Sequence, residues 1–139
     1  VQVEKPAAAP KRKSKPKPKE RTFGDVRALM EEWQPKDSNA TRRLLTSEVM
    51  TLLDEKGYSF IKASIPSVIV AGQFPIDIKH YRCEQDTYEF LTRMMWMHQE
   101  YGNAIGILLG VSDDETANKI DEACGTLLRE EKDCCVILM

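Results

Sequence analysis

Histidine, glycine and aromatic side chains are what this sequence has least of: two histidines, seven glycines, and aromatics at 7% of its 139 residues. Gly102, Gly106 and Gly110 match no nucleotide-binding spacing, which leaves no glycine-rich phosphate loop. His80 and Cys83, with Cys134 and Cys135, are the weak candidates for a zinc site. The paired spacings of common zinc sites are missing, and Cys134 and Cys135 are adjacent. Ordinary buried or interfacial thiols are the favoured reading, with no metal and no cofactor expected. Cys83 with either histidine draws a thiol nucleophile and base, but no third orienting group or oxyanion element accompanies them. A small thiol or zinc enzyme is therefore the disfavoured alternative to a non-enzymatic protein.

Long apolar runs are also missing. The longest uncharged windows, Ala63–Ile76 and Tyr101–Ser112, fall short of the ~18–20 residues a membrane span needs. The N-terminal stretch is charged and proline-rich, without the apolar core of a secretion signal. A soluble, intracellular protein with reduced thiols is expected. A prenylation signal needs cysteine fourth from the end, where Val136 stands, so a lipid anchor is a minor alternative.

What is present is a strong separation of charge. Val1–Arg21 holds eight Lys and Arg against two Glu, a net of +6, and the remainder carries 12 cations against 20 anions, a net of −8. Pro6, Pro10, Pro16 and Pro18 space these cations, and no aromatic residue lies among them. Such a stretch lacks the apolar surface to offset its ordering entropy, so residues 1–21 are expected to be a disordered, extended arm. Lys11, Arg12, Lys13, Lys15, Lys17, Lys19 and Arg21 are the candidate nucleic-acid contacts, because lysine and arginine neutralise phosphates without a folded interface. With no interleaved aromatics, base stacking and sequence readout are not expected. In a eukaryotic cell the same string also reads as a nuclear-localisation signal.

From residue 22 onward the pattern predicts a single, mainly α domain: about four helices and a small sheet of two or three strands at most. Phe23, Val26, Leu29, Met30 and Trp33 fall at helical spacing, and Pro35 closes that helix. Asp37 or Ser38 is the expected cap of a second helix carrying Leu45, Val49, Leu52 and Leu53, stopped by Gly57. Tyr58–Ala63 and Ser67–Ala71 are β-rich and read as short strands. Gln73–Lys79 reads as an irregular or extended lead into the helix that follows.

Glu84–Gly110 is the apolar centre of the chain. Tyr88, Leu91, Met95 and His98 share one helical face, and Phe90, Met94, Met97 and Tyr101 another, so contact from both sides is expected. Were the second face open to solvent, Met94, Met97 and Tyr101 would be the partner-binding candidates. Gly102-Asn103 suits a helix end, and Ala104–Val111 a buried strand or second short helix. Ser112 and Glu115 form a capping box, with Asp113 and Asp114 at the positive end of the helix dipole. Ala117, Ile120, Cys124, Leu127 and Leu128 are that helix's apolar stripe. The run Cys134–Met139 suits a terminal strand paired with Ser67–Ala71.

These readings point to an accessory or assembly subunit whose acidic body docks on a protein partner while the arm contacts nucleic acid non-specifically. A protein-only adaptor or chaperone-like factor with a solubilising tail is the main alternative.

Overall fold

A computed structural model describes residues 22–130 and 133–139. The expected arm, with all seven of its candidate contacts, lies outside the described residues. Helix α1 (Phe23–Glu32) is followed by α2 (Arg42–Glu55), then strands β1 (Phe60–Lys62), β2 (Val68–Val70) and β3 (Phe74–His80). Helix α3 (Glu84–Tyr101), strand β4 (Ala104–Leu109), helix α4 (Asp114–Glu130) and strand β5 (Cys134–Leu138) complete the order.

The mainly α expectation is overturned. The five strands form one mixed sheet in the order β1-β2-β3-β4-β5. The first three make an antiparallel meander, and β4 and β5 then add in parallel. Parallel neighbours require crossovers, which α3 and α4 supply. Both steps move the same way across the sheet, so right-handed crossovers put both helices on the same face. Helices α1 and α2 cover the other face. Val26, Met30, Leu45, Val49 and Leu53 pack there on Ile76, Ile78, Ile105 and Ile107. Phe90, Met94 and Met97 pack with Ala104, Leu108, Ile120 and Cys124 on the α3–α4 side.

The sheet was underestimated because one central strand, β4, is apolar throughout and another, β3, carries a proline. Ala104–Leu109 is buried at every position, as expected of a parallel strand covered on both faces. Gln73–Lys79, read as an irregular lead, is mostly the long strand β3. Pro75 masked it. That proline lies one residue before the pairing with β4 begins at Ile76↔Ile105, so its missing N–H removes nothing from that ladder. The terminal strand does not pair with Ser67–Ala71. β2 already has β1 and β3 on its two edges, and β5 pairs instead with the open side of β4, from Ala104↔Cys134 to Leu108↔Leu138.

Local signals fared unevenly. Helix α1 opens with Thr22 and Asp25 in a reciprocal capping box and stops before Pro35. The cap of α2 is Thr41, whose hydroxyl accepts the Leu44 amide, and not Asp37 or Ser38. The cap before α4 is Asp113 and not Ser112: its carboxylate accepts the Thr116 amide at 2.7 Å. Helix α3 ends at Gly102 in the left-handed conformation, as its sequence predicted. It is not enclosed on both faces. Phe90, Met94 and Met97 are buried, whereas Tyr88, Met95 and Trp96 are exposed.

Candidate functional site: a basic cavity beyond the carboxyl ends of the parallel strands

Strand β3 places Ile76 and Ile78 in the core shared with α1 and α2. By the two-residue period of a strand, Asp77 and Lys79 then point to the face that carries α3. Asp77 is buried to 1% exposure, which demands partners for its charge. Arg42, from the first turn of α2, donates to Asp77 Oδ1 at 2.9 Å, and Arg93 of α3 donates to Oδ2 at 3.2 Å. The hydroxyl of Ser67 donates to Oδ1 at 3.4 Å and accepts the Ile78 amide at 3.2 Å. Arg42 also donates to the carbonyls of Ile78 and Ser64, at 2.8 and 2.7 Å. One carboxylate thus ties together helices from opposite faces of the sheet. Both its oxygens are engaged, so it is a structural anchor and not a base open to water.

Lys79 turns towards α3. Its ammonium lies 3.0 Å from Glu89 and 3.5 Å from Asp86. Asp86 also accepts the amides of Arg82 and Cys83, at 2.7 and 3.0 Å, and so caps α3. Burial resists ionisation of this carboxyl, but the two amides and the Lys79 ammonium outweigh it and hold the pKa below the ordinary 3.8.

Beyond these residues opens a cavity of about 460 Å³, within the size range of small-ligand sites. It is lined by Thr41 and Arg42 at the start of α2, by Lys79 and His80 at the end of β3 with Tyr81 and Arg82 just after it, and by Arg93 and Gly110. The cavity thus lies at the carboxyl end of β3, where the chain leaves the sheet for α3. Gly110, with φ +92°, passes so close to the Tyr81 carbonyl that a Cβ would lie 2.9 Å from it. A larger residue there would push the two segments apart. Among the described lining residues are Arg42, Lys79, Arg82 and Arg93, and no aspartate or glutamate. In a body of net −8, this is a local reversal of sign.

Several donors here remain unspent among the described residues. The fork of Arg42 uses Nε and Nη2, leaving Nη1, and Arg93 uses only Nη1. His80 lines the cavity and its Nε2 is buried without a hydrogen-bond partner. The arrangement suits an anion with several acceptor oxygens.

The zinc candidates are not brought together. His80 pairs with Leu109 at the carboxyl end of the parallel ladder, whereas Cys134 and Cys135 pair with Ala104 and Ile105 at its start. About five residues of strand separate them, roughly 16 Å. Cys83 is exposed just before α3, and no three or more His, Cys, Asp or Glu among the described residues converge on a metal position. Burial, helped by the Asp121 charge, pushes the Cys124 thiol up to about 11. Burial also raises Cys135. Both are therefore poor nucleophiles at neutral pH. Of the residues proposed for a partner face, Met94 and Met97 lie in the core and Tyr101 is half-buried with its ring edge-on to Trp96, centroids 6.4 Å apart.

Sequence reasoning missed Arg42, Asp77, Lys79, Arg82 and Arg93. The available signal was Ile76-Asp77-Ile78-Lys79, an alternation that marks a strand with one charged face. The arginines carried no signal, since only the fold brings them to Asp77. No family model, no curated protein and no solved structure matches this chain. Among the described residues, no helix is long and apolar enough to cross a membrane.

Proposed function

We propose that the chain is a non-enzymatic accessory or assembly protein that holds nucleic acid through its basic arm and docks on a protein partner through its body. The observation that carries this reading is the separation of charge, +6 over Val1–Arg21 against −8 over the remainder. An acidic body repels a polyanion wherever it is not locally basic, so the arm supplies the attraction. The cavity of Arg42, Lys79, Arg82 and Arg93 supports the reading, because it offers the same polyanion a basic place on the body. The exposed Tyr88, Met95 and Trp96 of α3 support the docking of a protein partner, since large aromatic and methionine side chains are favoured at interfaces.

Affinity for an oligonucleotide measured against salt tests the nucleic-acid half. With about six phosphates neutralised, log K should fall against log salt with a slope of about −4 on single strands and about −5 on duplex. Deleting Val1–Arg21 should abolish most of that slope. Affinity and slope unchanged by the deletion would sink the proposal.

The protein-only adaptor is favoured instead if the full chain binds no nucleic acid and the arm-deleted body keeps its protein partners. The same exposed residues of α3 then carry the whole function.

A further inference from the structure

We propose that the cavity at the carboxyl ends of β3 and β4 binds a terminal phosphate, the monoester at the end of a nucleic-acid strand or on a free nucleotide. The inference rests on the nucleic-acid reading for its strand-end form, and on the cavity alone for the choice of a monoester.

Charge is the first argument. Across the cavity Arg42, Arg93, Arg82 and Lys79 stand against Asp77, Asp86 and Glu89, a net of one positive charge in a body of net −8, and Arg82 is the cation with no carboxylate beside it among the described residues. Lys79 is offset by Asp86 and Glu89 on the α3 side. A phosphate monoester carries about −1.5 to −2 at neutral pH and three terminal oxygens. An internal diester has two free oxygens, one fewer than the monoester offers to the unspent donors.

Donors are the second argument. Arg82 makes no side-chain contact among the described residues, while its backbone amide is fixed by Asp86 at 2.7 Å. Its exposed guanidinium lines the cavity with no hydrogen-bond partner among the described residues. The first amides of α2, those of Arg42 and Arg43, precede the Leu44 amide that Thr41 caps. They are free of the helix's own bonds and lie at its positive end. The buried, unpartnered Nε2 of His80 is an independent sign that a polar group belongs in this place.

Shape is the third. About 460 Å³ accommodates a group of nucleotide size. A terminal phosphate enters on one tether and turns all three oxygens to the donors, whereas a diester must leave the cavity by two routes.

The test uses the full chain and a short single-stranded oligonucleotide prepared with a 5′-phosphate, a 3′-phosphate or hydroxyl ends. Adenosine 5′-monophosphate and adenosine are the free-nucleotide pair. One phosphorylated end should bind at least about tenfold tighter than the hydroxyl-ended strand, a step well above ordinary measurement scatter. Arg82→Gln should erase the preference and weaken the hydroxyl-ended strand by a smaller factor, because the arm still holds that strand and the Arg82 guanidinium has no hydrogen-bond partner among the described residues. Equal binding of all ends, or a preference that survives in the Arg82→Gln, His80→Gln double variant, overturns the inference and leaves the arm's salt-dependent binding standing. Binding of adenosine monophosphate over adenosine with no binding of any strand keeps the terminal-phosphate site, with a free nucleotide as its source, and overturns the nucleic-acid function. Failure of both nucleotide and strand overturns both.

Discussion

Asp77 shows how one residue is committed to structure by its surroundings. Buried among Arg42, Arg93 and Ser67, it is the anion that allows two guanidiniums to sit side by side. Asp77→Ala should cost about 1–3 kcal/mol in urea unfolding, since Arg42 and Arg93, at 37% and 28% exposure, and the buried Ser67 hydroxyl lose their shared acceptor. Asp86 is the counterpart with a pH signature. Its folded pKa lies below 3.8, so its contribution is complete above the unfolded value and is lost as pH falls through the folded one. Asp86→Asn should therefore flatten the fall of stability below about pH 4, and lower stability at neutral pH by about 1 kcal/mol through the weakened cap. A wild-type acid limb retained in that variant would show that other carboxylates govern it.

Gly106, in the middle of β4, decides how closely α3 approaches the sheet. A Cβ there would lie within 2.7 Å of the Phe90 ring and closer still to Met94 Sδ. The glycine is an opening for two large core side chains rather than a flexible point. Gly106→Ala should cost about 1–3 kcal/mol by overpacking. Combining it with Met94→Val, which withdraws the sulfur, should recover part of that loss, read as a coupling energy in a double-mutant cycle. Additive costs would place the strain elsewhere. The glycine-marked run at 102–110 was legible in the sequence as a helix end followed by a buried segment. Its role in admitting Phe90 and Met94 was not, because sequence spacing does not say which helix crosses which strand.

For the whole molecule, two helical layers clasp one sheet, and Arg42 and Arg93 join them through Asp77. Such a junction predicts unfolding as one unit. The two tryptophans report on opposite layers, Trp33 buried in the α1 layer and Trp96 exposed on α3. In Trp96→Phe, the fluorescence of Trp33 should change at the same urea concentration as the far-ultraviolet signal of the whole fold. Two separated transitions would show that the layers melt independently.

The sequence by itself determined the helices and the division of charge. A helix needs only local periodicity, a cap and a stop, and Phe23–Trp33 or Glu84–Gly102 carries all three within one stretch. The size of the sheet was decided only by tertiary structure, because β3 and β4 are fixed as strands, and β5 is given its partner, by neighbours distant in the chain. The basic cavity was likewise beyond the sequence: Arg42, Lys79, Arg82 and Arg93 come from three separate segments and meet only where parallel strands end. A local pattern records what a residue prefers. Which charges share a carboxylate, and which remain free to meet a ligand, is fixed by the fold.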